Sequence, residues 1–525
     1  MAGNYRRLMV ARNDMSAICS YYVSVIKLSR DDSHLLQLHS QMILASVFSI
    51  PFIASAFVYR LAQFSTFWKG SYLRQVFDHV ARPSVSLSNT VIRAYSRSDS
   101  SIEGFNLYRG LKRTGLPSDS VTLSFVVKCL LRVSAFVGGL QIHAIVIRDG
   151  FQSDSLLLTI LMKLYSHYRK GPDACKVFEE MDEKDTVAWN VLMSSYLLND
   201  KARNVLALFN CMKKEEFGCS PDDVTCLCAL QACTNVGALE YGEKVHHFMK
   251  NHGYDVLTKL CNSLITMYSR CGSLDKANEV FCAIQNKDVV SWTALISGFA
   301  INGHGIRAID AFEQMIRNGF HPVEQTFTAV LSACSHCGLV DEGLVYFNKM
   351  QQEFGVMPNV NHYGCMVDLL SRCGRVDEAY ELILSLNMKP DVTMWRTVLG
   401  ACRIHRHVKV AERVIEHLIE LNSEEAGDYI MLMRMYFSSG NLRKVTELRK
   451  FLQKTGMHTV AGRSSITLED EVHDFITADI SHRNMEETYQ IIAYLNRHLK
   501  SIGHSSGTSD LENEIQAFSS EKYSS

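Results

Sequence analysis

The most chemically suggestive cluster in this 525-residue chain is "CSHC" at 334–337, followed by "HYGC" at 362–365. Cys334 and Cys337 form a CxxC pair, and His362 and Cys365 would complete a tetrahedral zinc set. A zinc cytidine deaminase needs a His-x-Glu, whose His binds metal and whose Glu moves protons, and a later CxxC. No His-x-Glu occurs in the chain, and its last cysteine is Cys402. There is no glycine-rich phosphate loop, and His246 and His247 fall on one amphipathic helix as surface or packing residues. The cysteines themselves keep places in a larger pattern. Cys334 and Cys233 share one place, and Cys337, Cys271 and Cys373 share another, so they read as small packed residues. No catalytic residue, cofactor or metal ligand is expected.

That larger pattern is a repeat. Trp189, Trp292 and Trp395, three of only four tryptophans, recur at intervals of 103 residues. Units aligned on them begin at Val85, Ser120, Ser155, Thr186, Asp223, Thr258, Val289, Glu324 and Val360, and end at Asp391. Their lengths, 35, 35, 31, then 37, 35, 31, then 35, 36, 32, follow three unit types rotating in strict order. Each unit reads as two helices. In the unit at 289, Trp292, Leu295, Ile296 and Phe299 share one helical face, "NGHG" breaks the helix, and Ala308, Ala311, Phe312 and Met315 repeat the spacing. Of eight prolines, Pro83, Pro117, Pro221, Pro322, Pro358 and Pro390 fall at unit ends, where a helix breaker belongs. A pair of such helices cannot bury its apolar stripe alone, so the pairs must stack. The expected fold is all-α: a right-handed superhelical solenoid of helix-turn-helix repeats with a small C-terminal extension.

Composition bounds the rest. Hydrophobic residues make up 47% and charged residues 21%, which is globular. The formal charge is -1, so nucleic-acid binding would have to rely on placed side chains and not on a basic surface. Sixteen cysteines in a chain this long point to a reduced compartment. Residues 1–35 open with five basic side chains against one acid in the first thirty, the composition of an organelle transit peptide. No stretch is apolar enough for a membrane span. Residues 36–84 are degenerate repeats, 85–391 nine repeats in three triplets, and 392–459 two further helical pairs. The segment 460–503 loses helical periodicity before a helix from about Asn484 to Lys500, and the Ser-rich 504–525 is expected to be a disordered tail.

The rotating pattern, with "VSWTALISGFA", "VLSACSHCGLVDEGL" and "MVDLLSRCGRVDEAYELI", resembles the pentatricopeptide repeat proteins of plant organelles, in the subclass with alternating long and short repeats (PLS). Residues 392–459 resemble that subclass's E extension motifs, and 460–503 its E+ segment, without a DYW deaminase domain. "AGRSSI" departs from the "PGxSWI" usual there, with Ala461 for Pro and Ser465 for Trp. The resemblance implies one RNA base per repeat, a code the handling of single-stranded RNA by this family exemplifies. The readers are the fifth residue of a unit and its last. They are Asn89 with Asp119, Thr159 with Asp185, Asn190 with Asp222, Asn262 with Asp288, Thr293 with Val323, Thr328 with Asn359 and Gly364 with Asp391. Under the family code the first, third, fourth and sixth units read U, G, U and a pyrimidine, the seventh and eighth lean to purines, and the ninth has no assignment. Apolar neighbours such as Val187 and Val290 would pack on base faces.

An Asp before a helix is also a common N-cap, which would account for the aspartates alone. It leaves the recurring Asn or Thr inside the helix unexplained, since both are mediocre helix formers. The resemblance therefore implies a site-recognition factor for organelle C-to-U RNA editing, in the mitochondrion or alternatively the chloroplast. Its partners would be single-stranded organelle RNA, editing cofactors and a cytidine deaminase acting in trans, with no membrane and no small-molecule substrate. Two rivals are an organelle RNA stability or processing factor and a tetratricopeptide-like protein-binding scaffold. Alternating unit lengths disfavour the scaffold. Arg396, at the fifth place of the first extension motif, marks where base reading stops.

Overall fold

The computed structural model describes residues 15–29, 31–64, 72–80, 82–214, 218–386, 388–421, 425–455, 463–468 and 471–476, with four isolated positions beyond. Those four fall within the expected helix from about Asn484 to Lys500, the rest of which lies outside the described residues, as do the 504–525 tail and the first fourteen residues. The chain falls into two compact units, Met1–Pro358 and Asn359–Ser525.

Unit 1 opens with α1 (Met15–Leu28), α2 (Asp32–Leu44), α3 (Pro51–Leu61) and α4 (Tyr72–Asp78). Within the expected leader, α1 packs on α3 and buries Tyr22 and Ile26. Eight helix pairs follow: α5 (Val85–Ser96) and α6 (Ser101–Arg113), α7 (Ser120–Arg132) and α8 (Phe136–Arg148), α9 (Ser155–His167) and α10 (Gly171–Glu179), α11 (Thr186–Leu198) and α12 (Ala202–Lys213). Next come α13 (Asp223–Val236) and α14 (Leu239–Asn251), α15 (Thr258–Arg270) and α16 (Leu274–Ala283), α17 (Val289–Ile301) and α18 (Gly305–Arg317), α19 (Glu324–Cys337) and α20 (Val340–Gln352). Unit 2 holds α21 (Val360–Arg372) and α22 (Val376–Leu384), α23 (Val392–His405) and α24 (Val408–Glu420), α25 (Ala426–Ser438) and α26 (Leu442–Thr455). Strands β1 (Arg463–Leu468) and β2 (Glu471–Ile476) then pair antiparallel, from Arg463 opposite Ile476 to Leu468 opposite Glu471. The described residues of the segment that loses helical periodicity are therefore paired β-strands.

Every unit start read from sequence is a helix start: each opens an apolar stripe, and seven of the nine follow a residue whose side chain caps the first turn, Leu257 and Val323 being the exceptions. In α17 the stripe Trp292, Leu295, Ile296 and Phe299 is buried, as are Ala308, Ala311, Phe312 and Met315 of α18. The tryptophans serve packing: Trp189 meets Phe178, and Trp292 meets Phe281, edge-on at 4.9 and 4.8 Å between ring centres. Within unit 1, from α5 to α19, each first helix lies against the next pair's first helix. Close approach sets the residue choice at one such crossing, where a Cβ on Gly298 would stand 2.2 Å from the Ser269 hydroxyl. The first helices thus form a continuous row, and the side chains they do not bury against their neighbours share one face. No described helix is long and apolar enough to cross a membrane.

Candidate nucleic-acid interface

Because units begin at helix starts, the last residue of a unit is the N-cap of the next first helix. Asp119, Asp154, Asp185, Asp222 and Asp288 all accept a backbone N–H of the first turn that follows. The fifth residue of the preceding first helix comes up against that cap.

Three of the expected pairs meet directly. Asn89 donates from Nδ2 to Asp119 at 3.1 and 3.2 Å, Asn190 to Asp222 at 3.0 and 3.2 Å, and Asn262 to Asp288 at 3.2 Å. In the first two pairs a third residue closes the network. The Thr122 hydroxyl lies 2.6 Å from both Asn89 Oδ1 and Asp119 Oδ1, and that of Thr225 lies 2.7 Å from Asn190 Oδ1 and 2.8 Å from Asp222 Oδ1, so each shares its one proton between amide and carboxylate. Each threonine also completes a reciprocal capping box with its aspartate. Ser291 holds the same place after Asp288 and bonds Asp288 at 2.8 Å, while Asn262 Oδ1 is buried with no hydrogen-bond partner. Thr122, Thr225 and Ser291 were missed from sequence, although Asp-x-x-Thr or Asp-x-x-Ser stands at all three joins. The recurring Asn has a structural role that capping alone does not supply: it ties one repeat to the next.

The carboxylates respond to this setting. Burial works to raise the pKa of Asp119, Asp222 and Asp288, but the hydrogen bonds from their threonine or serine and from their asparagine outweigh it, so all three lie below the ordinary carboxylate value. They are anions that hold an amide by its nitrogen. For Asn89 and Asn190 one amide hydrogen shared between the carboxylate oxygens satisfies the geometry and leaves the second for another acceptor.

The other pairs are looser. Thr159 donates to the Ser155 carbonyl at 2.7 Å, while Asp185 caps Ala188. Thr293 donates to the Val289 carbonyl or shares a 2.8 Å bond with the Thr326 hydroxyl, and Val323 brings no polar side-chain group. Thr328 donates to the Glu324 carbonyl at 3.0 Å in unit 1; Asn359 caps α21 in unit 2. Gly364 has no side chain to read with, and Asp391 makes no side-chain cap bond.

Around the sixth repeat the face opens into a groove of about 320 Å³. Asn262 and Asp288 line it, between Lys259 and Val290, the second residues of two successive units. Val290 is 59% exposed. Val121, Leu156, Val187 and Val224 hold the same second position and are exposed too, a row of apolar side chains beside the polar pairs. Sequence reading singled out only Val187 and Val290 of this row.

The cysteines serve packing and turns. Cys233 and Cys334 are fully buried, and burial pushes the Cys233 thiol up to about 12. Cys337 Sγ accepts the Gly305 N–H at 3.1 Å, and Asn359 donates its N–H to His362 Nδ1 at 3.0 Å. Among the described residues no group of three or more His, Cys, Asp or Glu is arranged to hold a metal. In the extension, Arg396 stands at the fifth place, Glu425 at the cap and Asp428 at the third place of the next helix. The guanidinium meets Glu425 at 2.8 Å and Asp428 at 3.1 Å, so the same three positions are filled by an internal ion pair.

Models of the PPR repeat match residues 157–186, 260–289, 325–353 and 362–387, and a PPR repeat family model matches 184–235 and 287–336. Pentatricopeptide repeat-containing protein At3g47530 of Arabidopsis thaliana is 48% identical over 497 residues, spanning 94% of this chain and 84% of that one. The chain belongs to the pentatricopeptide repeat family. Another Arabidopsis pentatricopeptide repeat protein, the chloroplastic CRR2, is 33% identical across 90% of this chain and 72% of its own length. The mitochondrial At3g26782 is 33% identical across 91% and 73%. The crystal structure of maize pentatricopeptide repeat protein PPR10 shares the fold, with a TM-score of 0.50 and 18% identity over 84% of this chain and 74% of that one. The pentatricopeptide repeat solenoid is thus the framework on which the Asn–Asp pairs are mounted.

Proposed function

We propose that this protein is a sequence-specific single-stranded RNA-binding protein that selects a site for C-to-U editing in organelle transcripts and recruits a cytidine deaminase in trans. The observation that carries the reading is the groove at the sixth repeat. The amide of Asn262, the carboxylate of Asp288, the cation of Lys259 and the exposed Val290 all line it. A base entering between Lys259 and Val290 would meet the amide edge with its own edge, and its faces would meet the two flanking side chains. The same Asn–Asp pair recurs at the first and fourth repeats, and an exposed apolar second residue stands beside it along the row, which supports one base per repeat.

In this reading the first, third, fourth and sixth repeats take U, G, U and a pyrimidine, and the ninth lies four bases upstream of the edited cytidine. The filled position at Arg396, Glu425 and Asp428 supports an end to base reading there, with the extension given over to the partner deaminase. Relatives named for both organelles support an organelle address, with the mitochondrion preferred and the chloroplast as the alternative. The test is to sequence mitochondrial and plastid transcripts from a plant line lacking this protein. One or a few cytidines should stay unconverted, with the stated bases upstream. Full conversion everywhere would overturn the editing role, and unconverted sites without that upstream match would overturn the register.

A further inference from the structure

The ninth residues of the first three repeats are Arg93, Lys128 and Lys163. Each lies one helical turn beyond a fifth-position residue, Asn89, Ser124 or Thr159, and so on the same face of its helix. All three are exposed, although the residues on either side of each in sequence are buried. The ninth position belongs to the groove: in the fifth and sixth repeats it is held by Gln231 and Thr266, which line that groove with Asn262 and Asp288.

The three cations are near one another, and none is paired with a carboxylate among the described residues. The Arg93 guanidinium lies 5.9 Å and the Lys128 ammonium 5.3 Å from the centre of the Phe125 ring, so one aromatic side chain gathers both across the join of two repeats. Burial lowers the pKa of Lys128, and the charges of Lys163, Arg93 and Arg97 lower it further. None of the three makes an ion pair with a described residue. Like charges gathered without carboxylates oppose folding, and a polyanion would relieve them. Further along unit 1 the ninth position is neutral, with Ser194, Gln231, Thr266, Ser297 and Ser332, and in the ninth repeat it is Asp368.

We infer that Arg93, Lys128 and Lys163 form a phosphodiester-binding strip that grips the backbone of single-stranded RNA at the first three repeats. The strip supplies affinity without base preference, and it explains how a chain of net charge -1 holds a polyanion. The inference rests on the RNA-binding reading above.

The test uses the full chain, a fluorescently labelled single-stranded RNA of the stated register and a scrambled one, with anisotropy titrations from 50 to 200 mM salt. Arg93→Gln, Lys128→Gln and Lys163→Gln combined should weaken both RNAs alike. The slope of log affinity against log salt should fall by about 2, at roughly 0.7 per phosphate released from a single strand. The fourfold rise in salt should then cost the variant roughly 20-fold less affinity than it costs the unmodified chain. A control carrying Arg109→Gln, Lys176→Gln and Lys213→Gln on second helices should keep the original slope, and Lys128→Arg with Lys163→Arg should preserve it. Circular dichroism and melting establish that each variant is folded. If the unmodified chain binds neither RNA, the functional reading falls and the strip with it. If it binds and the triple variant keeps its salt slope, or loses only the matched RNA, the strip alone is overturned.

Discussion

The Thr225 hydroxyl lies 2.7 Å from Oδ1 of Asn190 and 2.8 Å from Asp222 Oδ1, so its one proton is shared between an amide oxygen and the carboxylate that already holds the amide nitrogen. Two repeats further, Ser291 bonds Asp288 and leaves Oδ1 of Asn262 without a partner. Two sites built on the same plan therefore differ in how firmly the amide is held. Thr225→Val strands a buried acceptor and should cost about 1–3 kcal/mol, whereas Ser291→Ala removes only a capping hydroxyl and should cost about 1 kcal/mol. Urea unfolding followed by circular dichroism measures both. Equal losses would mean that the threonine does no more than cap.

The amide edge also predicts a local loss of recognition. Asn190→Ala should weaken RNA carrying U opposite the fourth repeat by roughly 3–10-fold, the worth of one hydrogen bond. The penalty for a wrong base opposite the first repeat, at Asn89 and Asp119, should not change. Competition binding with single-base RNA variants reads this out, and a uniform loss at every position would assign Asn190 to stability alone.

The aspartates set a pH window. Their folded pKa values lie below the ordinary carboxylate value, so the stabilisation they bring is complete above the unfolded value, near 3.9, and is lost as pH falls through the depressed folded value. Melting temperature should therefore be insensitive to these groups between about pH 5 and 8 and should drop in more acidic buffer. Asp222→Asn should already be destabilised at neutral pH and should show a shallower acid limb. An acid limb as steep as that of the unmodified chain would remove Asp222 from the account.

The extension carries a different risk. Asp428 is buried, and the Arg396 guanidinium lies against it. Arg396→Ala leaves that carboxylate uncompensated and should cost about 3 kcal/mol in the unit that contains it, whereas Arg396→Met with Asp428→Leu should recover most of the loss. Limited proteolysis would register this as early cleavage in the extension, leaving Val85–Gln352 resistant. No recovery in the double variant would show that the pair acts through something other than the stranded charge.

Nearly all of the helical framework was legible in the chain. Unit starts at Val85, Ser120, Thr186, Val289 and Val360 were read from one tryptophan interval and from proline placement, and the helices begin at those residues. Such signals survive because capping and amphipathic spacing are local, set by side chains within a turn or two of one another. The pairing of Arg463–Leu468 with Glu471–Ile476 was legible only as a loss of helical spacing, since two short strands leave little pattern of their own. The participation of Thr122, Thr225 and Ser291 was not read at all, because the first two meet an asparagine more than two dozen residues earlier and the third holds an aspartate that such an asparagine bonds.

The sequence by itself determined which residues repeat, how long each unit is, and that an Asn or Thr stands at the fifth place with an Asp often at the last. Only the tertiary structure decided that Asn89 touches Asp119 while Thr159 turns back to Ser155, that Asn262 keeps an unused acceptor, and that Arg93, Lys128 and Lys163 share one face without a carboxylate partner. The physical reason is that these relations cross the join between stacked repeats. Spacing along one helix fixes the face on which a side chain sits, but hydrogen-bond and charge partners are fixed by which helix packs beside it and at what depth.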